Sequence, residues 1–281
     1  MDIFLYFSGG KVLTALYGHG KLFRNNLIIG ATEMPKFKNF KDRKGKADQA
    51  RNNMYVKLAR EIFVEARKGG VNPDGNFKLK TAIANARQIN MPNDNIDRAL
   101  KKAIGDAGTE DYEEMMYEGY GPGGIAIMVK CLTDNRNRTA ADVRAIFNKR
   151  GGNMGETGSV SYMFDEKGIL TIDREAYKLD EDELMMQSLE AGAEDLITTG
   201  DTFEILTHPY EFETVKTVLE QSGLQFSTAC ICWIPQNTVQ AEGHHADKLL
   251  KMMDSFDELD DVQDVFVNFE IEVVEMERLS K

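Results

Sequence analysis

The segment IAIMVKCLTDNRNRTAADVRAIFNKRGG, residues 125–152, decides how the second half of the chain folds. Residues 125–133 are mainly apolar, which is typical of a buried strand. The polar loop TDNRNRT at residues 133–139 follows, and apolar residues then recur at helical spacing until Gly151 and Gly152 stop the helix. A buried strand that leads through a short loop into a helix predicts a unit of mixed helix and sheet.

The flanking residues extend this unit on both sides. Residues 114–120 predict a strand that reaches residue 125 through the turn Gly-Pro-Gly-Gly at 121–124. Residues 159–164 predict a further strand after the helix. The unit therefore begins in the order β-β-α-β.

A second α/β unit follows, and its element order is ferredoxin-like, β-α-β-β-α-β. We predict its strands at residues 169–172, 195–199, 202–207 and 226–234, and its helices at residues 183–190 and 210–221.

The last part of the chain completes the first unit. A helix with Leu249, Met252, Met253 and Phe256 on its inner side precedes the strand-forming run VQDVFVNFEIEVV. If this helix and strand belong to the first unit, the ferredoxin-like unit is an insertion within it. Three units in simple series would leave the middle one without a complete sheet.

A helical pattern precedes both α/β units. In the first helix, the apolar residues Tyr55, Leu58, Ile62 and Ala66 form one stripe, and Gly69-Gly70 ends it. A second helix is predicted to begin near Asn76, with Leu79, Ile83 and Ala86 turned inward. A third is predicted to begin at Pro92 or Asn93, with an apolar face made of Ile96, Leu100 and Ile104.

These patterns predict an α+β fold of three domains, a three-helix domain followed by two α/β domains, one inserted in the other. The boundaries are an N-terminal extension without ordered structure at residues 1–33, a basic helical domain at 34–107, a discontinuous α/β domain at 108–167 and 236–281, and an inserted ferredoxin-like domain at 168–235. The extension is apolar at its start, but it lacks the basic beginning and the cleavage site of a secretory signal.

Charge divides the 281-residue chain, whose net charge is −12, into two opposite parts. Residues 34–107 contain 17 lysine and arginine residues against 8 aspartate and glutamate residues, a net charge of +9. Residues 108–281 contain 14 against 36, a net charge of −22. The acidic average therefore conceals one basic domain that is suited to a nucleic-acid partner.

The composition also bounds the class of protein. A hydrophobic content of 42% excludes a wholly disordered chain, and no apolar run reaches the length of a transmembrane helix. The three cysteines form no disulfide framework, which favours a reducing compartment and a cytoplasmic location.

The basic residues are densest ahead of the first helix and along it, in KFKNFKDRKGKADQAR at residues 36–51. Such a density can neutralise several phosphates, and the aromatic residues Phe37 and Phe40 can stack on bases. The alternative is a solvated helix face with two aromatic residues in the core. The predicted nucleic-acid contacts are Lys36, Lys38, Lys41, Arg43, Lys44, Lys46, Arg51, Lys57, Arg60, Arg136 and Arg138.

The last two of these, Arg136 and Arg138, belong to the loop TDNRNRT and allow two interpretations. Asp134, Asn135 and Asn137 suit a helix cap whose arginines pair with nearby carboxylates. Alternatively, the two arginines make a second phosphate contact at a helix N-terminus.

Several motifs in order resemble the YebC/PmpR family. They are KNFKDRKGKADQAR, NMPNDNIDRALKKA (90–103), YEGYGPGGIAI (117–127), LTDNRNRTAADVR (132–144) and GGNMGETGSVSYMF (151–164). The chain departs from the family's common opening GHSKW, since Met34, Pro35, Lys36 and Phe37 stand there. The resemblance implies the same three-domain fold and a regulator of gene expression. Members of this family are usually described as transcriptional regulators that bind DNA. Related members are associated instead with translation on the ribosome.

An enzyme is not expected, because none of the four histidines sits in a recognisable pattern with serine or cysteine. Cys230-Ile231-Cys232 lacks the second cysteine pair of a zinc site, and Gly-Pro-Gly-Gly lacks the frame of a phosphate-binding loop. No cofactor, metal or small-molecule substrate is predicted. Three functions stay open: a DNA-binding transcriptional regulator, a translation factor that binds ribosomal RNA or tRNA and relieves stalling at proline-rich sequences, and an acidic protein-interaction scaffold.

Overall fold

The structure is a computed structural model that describes residues 4–8, 11–17, 40–105, 112–174, 180–198 and 202–272, with side chains from Arg51 to Ile271 within these ranges. Its helices are α1 Phe40–Gly69, α2 Phe77–Gln88, α3 Asn93–Gly105, α4 Arg136–Arg150, α5 Glu181–Ala191, α6 Phe212–Gln221 and α7 Gly243–Asp257. Its strands are β1 Phe4–Ser8, β2 Lys11–Tyr17, β3 Glu113–Tyr120, β4 Ala126–Thr133, β5 Asn153–Met154, β6 Phe164–Asp173, β7 Asp195–Thr198, β8 Thr202–Thr207, β9 Thr228–Pro235, β10 Val239–Gln240, β11 Val262–Val267 and β12 Phe269–Glu272. None of the described helices is long and apolar enough to cross a membrane.

The helical domain is formed by α1, α2 and α3 around a small apolar core. Leu58 and Ile62 of α1 and Leu79 of α2 are fully buried in it. The α1 helix ends at Gly69, and Gly70 follows with φ +88°, a left-handed conformation that favours glycine. Asn76 caps α2, because its side chain accepts a hydrogen bond from the Leu79 amide at 3.1 Å.

The first α/β domain is built on an eight-stranded sheet with α4 and α7 packed on one face. The strand order is β10-β12-β2-β11-β4-β3-β5, and β1 pairs with β2. Phe147 of α4 and Phe256 of α7 meet edge to face in the core, with ring centroids 5.3 Å apart. Strand β11 pairs antiparallel with β4, with Val265 opposite Val129. The end of the chain therefore completes the sheet that residues 113–133 begin, which confirms the predicted nesting.

The inserted domain is a four-stranded sheet in the order β7-β8-β6-β9, with α5 and α6 on one face. Every neighbouring pair is antiparallel, which is the ferredoxin-like arrangement that was predicted. Its first strand, β6, begins at Phe164 and so crosses the predicted domain boundary between residues 167 and 168.

Residues 159–163 do not form the predicted strand, and Phe164 is instead the first residue of β6. They include a single 3₁₀ turn, Ser161–Met163, and the preceding loop wraps around the side chain of Glu118. The buried Glu118 carboxylate accepts hydrogen bonds from the amides of Gly158, Val160 and Ser161, each at 2.8 Å. Burial opposes ionisation of Glu118, but these three amides outweigh it and lower its pKa. The loop is therefore held by a buried charge that lies 40 residues away in sequence.

Two further expectations differ from the structure. Residues 4–17 were expected to lack ordered structure, but β1 and β2 form a hairpin whose second strand pairs with both β11 and β12. The apolar and β-branched residues of both segments favour strands, and β2 lies between β12 and β11 in the larger sheet. Ile104, expected to face inward, is 68% exposed because it lies in the last turn of α3, beyond the core.

The two sheets pack on each other through the faces that turn away from their helices. Met128 and Phe266 of the larger sheet and Ile169 and Cys232 of the smaller one share a buried cluster. Glu204 of β8 lies on the same face of the smaller sheet, since its neighbours Phe203 and Ile205 face the helices. Its Oε2 atom is buried without a hydrogen-bond partner among the described residues, and burial raises the pKa of Glu204 to about 8.

We predict that Glu204→Gln stabilises the protein, by about 1 to 3 kcal/mol at pH 9, because an ionised carboxylate no longer has to be buried unpaired. The folded-state pKa lies above the unfolded one, so the parent loses stability as pH rises between the two values, whereas glutamine does not titrate. The advantage of the variant should therefore grow from pH 5 to pH 9 in urea unfolding curves. The exposed Glu166→Gln on β6 is the control, and an advantage of Glu204→Gln that shrinks as pH rises would contradict the assignment.

Candidate nucleic-acid interface

Helix α1 carries most of the predicted contacts, and it is a single helix of 30 residues, about 45 Å long. Its first two turns contain Lys41, Arg43, Lys44 and Lys46. The exposed Arg51 follows about one turn later. Lys36 and Lys38 lie outside the described residues. The predicted basic run is therefore continuous with the helix that also contributes Leu58 and Ile62 to the core.

Lys57 is not available to a phosphate, which corrects the prediction from sequence. Its side chain is 4% exposed, and its Nζ donates to the Asp257 carboxylate at 2.8 Å and to the Asp257 carbonyl oxygen at 3.0 Å. Asp257 is the last residue of α7. Lys57 therefore holds α1 against the first α/β domain.

Arg60, one turn further along α1, also belongs to this contact. Its Nη1 donates to Asp261 Oδ1 at 2.7 Å and to the Asp260 carbonyl oxygen at 2.8 Å. The guanidinium also lies over the ring of Tyr112, with Cζ 5.4 Å from the ring centroid. The side chain is 17% exposed, so Arg60 too is removed from the predicted phosphate contacts.

Asp261 is the point where α1, α4 and the start of β11 meet. Arg60 reaches its Oδ1, and Arg138 Nη2 donates to its Oδ2 at 2.8 Å. Thr139 Oγ1 lies 2.7 Å from the same Oδ2, and Thr133 Oγ1 lies 3.3 Å from it. Burial alone would raise the pKa of Asp261, but the hydrogen bonds from Arg138 and Thr139 and the charge of Arg60 together lower it.

The loop TDNRNRT has the geometry of a helix cap. Asn135 accepts a hydrogen bond from the Arg138 amide at 3.1 Å and caps α4. Arg138 is bound to Asp261 and to Asp134, each at 2.8 Å, and both carboxylates raise the pKa of its guanidinium. Arg136 differs, because it is 63% exposed and its ion pair with the exposed Glu113 spans 3.5 Å. The structure thus favours the capping interpretation for Arg138 and leaves Arg136 at the surface.

The predictions from sequence missed a second set of cations, on α2 and α3. The predicted apolar stripes of both helices already implied a polar outer side, but the predicted contacts followed the denser basic run at residues 36–51. Lys80 and Arg87 are exposed and lie two turns apart on one side of α2, about 10 Å along its axis. The exposed residues Arg98, Lys101 and Lys102 are spaced three and four apart on α3. The helical domain is therefore basic over all three helices.

In the described part of the chain, no three histidine, cysteine, aspartate or glutamate side chains come together in a group that could hold a metal ion. Cys131 and Cys232 are buried, and burial raises the pKa of the Cys131 thiol. A buried thiol with a raised pKa is a poor nucleophile.

We predict that Asp261→Asn destabilises the protein by about 2 to 4 kcal/mol at pH 7, because Arg60 and Arg138 then face each other without the charge that pairs them. The folded-state pKa of Asp261 is lowered, so its stabilisation is present above the unfolded value, about 4, and is lost as pH falls through the folded value. The unfolding free energies of parent and variant should therefore begin to converge as pH falls below about 4. Asp142→Asn on the exposed side of α4 is the control. Equal unfolding free energies of parent and Asp261→Asn at pH 7 would show that the network contributes no stability.

Comparison with known proteins agrees with this architecture. Residues 35–106 match the family model described as the TACO1/YebC protein N-terminal domain, and residues 112–269 match that of the TACO1/YebC second and third domain. A probable transcriptional regulatory protein of Geobacillus kaustophilus (strain HTA426) is 52% identical over 240 residues, covering 85% of this chain and 98% of the relative. A probable transcriptional regulatory protein of Carboxydothermus hydrogenoformans is 51% identical over 237 residues, covering 84% and 97%.

A crystal structure is also similar. The chain of a conserved hypothetical protein from Aquifex aeolicus superposes with a TM-score of 0.71 at 45% identity, covering 81% of this chain and 93% of the other. The similarity extends through the helical domain and both α/β domains, and the resemblance inferred from the motifs is confirmed. The chain belongs to the TACO1/YebC family.

Proposed function

We propose that this protein is a regulator of gene expression that binds nucleic acid through the N-terminal end of α1, without catalysis. The observation that supports this proposal most strongly is that α1 has two separate groups of cations. Lys57 and Arg60 are docked on acidic residues of the body, whereas Lys46 precedes Lys57 by 11 residues and Lys41 by 16. At about 1.5 Å per residue, the basic end of α1 begins about 16 Å from the docked segment and extends to about 24 Å from it.

This geometry supports phosphate binding by the first turns of α1. The remaining candidates are Lys36, Lys38, Lys41, Arg43, Lys44, Lys46 and Arg51, joined at the surface by Arg136 and by the exposed cations of α2 and α3. Cations at this density release counterions when they meet phosphates, which supplies affinity that does not depend on base sequence. Lys57 and Arg60 instead keep α1 attached to the body, and Arg138 of α4 pairs with Asp261, the carboxylate that Arg60 reaches.

Binding to DNA as a transcriptional regulator is supported by the description of the relatives as probable transcriptional regulatory proteins. A basic helix end has the dimensions to enter a major groove. In the cell such a protein works in the cytoplasm, where its cysteines stay reduced.

A translation factor on the ribosome is the second candidate, and one observation favours it. Residues 108–281 have a net charge of −22, which phosphates on a long duplex would repel. On a ribosome the basic helix can contact ribosomal RNA or tRNA while the acidic domains face ribosomal proteins. Folded RNA is recognised through shape and backbone, which requires no reading of base edges.

The phosphate contacts are tested by replacing Lys41, Arg43, Lys44 and Lys46 together with glutamine. We expect weaker binding to random duplex DNA and to a folded RNA. The slope of log affinity against log salt concentration should become less steep by about 3 to 4 units. Fluorescence anisotropy at several salt concentrations measures both quantities.

The matched control replaces four cations of the first α/β domain, Arg144, Lys149, Lys248 and Lys251, with glutamine. It removes the same charge and should leave the salt dependence unchanged. If both quadruple variants lose affinity equally, net charge explains the binding and the assignment to α1 is wrong.

The two candidate targets are separated by sedimenting cell lysate through a sucrose gradient and following the protein by immunoblot. We expect a translation factor to sediment with ribosomal particles and to leave them in the quadruple α1 variant. A DNA regulator should stay at the top of the gradient after nuclease treatment and should prefer one duplex sequence over random duplex by at least about a thousandfold. Retention of the α1 variant on ribosomes would contradict RNA contact through this helix.

A further inference from the structure

The inserted domain carries an unusual concentration of negative charge. Residues 180–221 contain twelve aspartate and glutamate residues against one cation, Lys216. That lysine is already engaged, since its Nζ lies 3.0 Å from Glu220 and 5.7 Å from the ring centroid of Phe77 in the helical domain. Helix α5 contains no cation, and Asp180 caps it by accepting a hydrogen bond from the Glu183 amide. This surface repels phosphates and attracts cationic partners.

Apolar side chains lie exposed among these acids on the outer side of α5. Leu184 and Ser188 face the sheet, and Met186 and Leu189 lie on the opposite side, 63% and 48% exposed. Asp182 precedes Met186 by four residues, so it shares the same outer side. Within this small domain, these two large apolar side chains are not needed for the core.

Helix α6 adds a third exposed apolar side chain. Phe212 and Lys216 of α6 contact Phe77 of the helical domain, with the two phenyl rings 6.3 Å apart. Val218 follows Lys216 by two residues and therefore lies about 200° further around the helix, on the other flank. It is 43% exposed, and α5 and α6 pack side by side on the same face of the sheet. The helical domain covers one flank of α6, and the other flank adjoins α5.

We propose that the outer surface of α5 and α6, formed by Met186, Leu189 and Val218 with the surrounding carboxylates, binds a basic amphipathic helical segment of another protein. Met186 and Leu189 are three residues apart on α5, and with Val218 of the adjoining α6 they offer apolar contacts to the apolar side of such a helix, while the acids pair with the lysines and arginines along its borders. Methionine adapts its shape to different partners, which suits the exposed Met186 as a contact on this surface. The surface excludes nucleic acid by its charge, so it complements the basic end of α1 and does not depend on the proposed function.

The probe is a synthetic helical peptide of about 18 leucine and lysine residues with all its leucines on one face. A second peptide of the same composition, with its leucines distributed around the helix, measures attraction by charge alone. We expect the full chain to bind the amphipathic peptide at least about tenfold more tightly than the second peptide near physiological salt. Methyl resonances of Met186, Leu189 and Val218 should shift on titration with the amphipathic peptide.

The triple variant Met186→Ser, Leu189→Ser, Val218→Ser should reduce the affinity ratio of the two peptides to about one. Tyr210→Ser is the matched control, because Tyr210 is 87% exposed in the same domain but outside this surface, and it should leave the ratio unchanged. The quadruple α1 variant should also bind the peptide like the parent, which keeps this test separate from nucleic-acid binding. Circular dichroism and thermal unfolding verify that each variant is folded.

Two results would overturn the proposal. Equal affinity of the parent for both peptides would show that charge alone attracts them. Self-association of the parent that the triple variant abolishes, measured by sedimentation velocity, would show that a second copy of this chain covers the surface instead.

Discussion

The arrangement of the domains depends on the carboxylate of Asp261. A buried carboxylate is unfavourable unless cations and hydroxyl groups surround it, and Asp261 takes these from Arg60 of α1 and from Arg138 and Thr139 of α4. Because Arg60 belongs to α1, its ion pair with Asp261 holds the helical domain against the first α/β domain. The ion pair between Lys57 and Asp257, close by, adds a second attachment on the same helix.

This contact shows that the positive charge of the helical domain has two separate locations. Part of the basic excess of residues 34–107 neutralises carboxylates of the protein's own body, and another part lies at the beginning of α1, far from those carboxylates. Docking by Lys57 and Arg60 therefore fixes the direction of a helix whose basic end extends beyond the docked segment. The acidic surface of the inserted domain is a separate feature, since its carboxylates surround exposed methionine, leucine and valine side chains.

The sequence predicted the elements of the fold well, because apolar periodicity and glycine reflect local physical requirements. The stripe through Leu58 and Ile62, the glycine stop after α1 and the order β-α-β-β-α-β all correspond to observed elements. Nesting was also predictable, since the first α/β unit lacked a helix and a strand that the residues after the inserted unit could supply. The prediction for residues 159–164 was wrong because a distant buried charge, Glu118, organises that loop through its amides. The residue types of the segment itself contain no information about such a partner.

The sequence by itself determined which residues are apolar, where helices begin and end, and that positive charge is concentrated in one domain, because these properties belong to residues and their near neighbours. Only the tertiary structure decided which cations of that domain remain at the surface. Lys57, for example, is buried against Asp257 because α7 ends beside it. The same holds for Arg136 and Arg138, two residues apart, since only Arg138 lies within reach of Asp261. Whether a charge is paired depends on the positions of residues 100 to 200 places away in sequence, and folding alone brings them together.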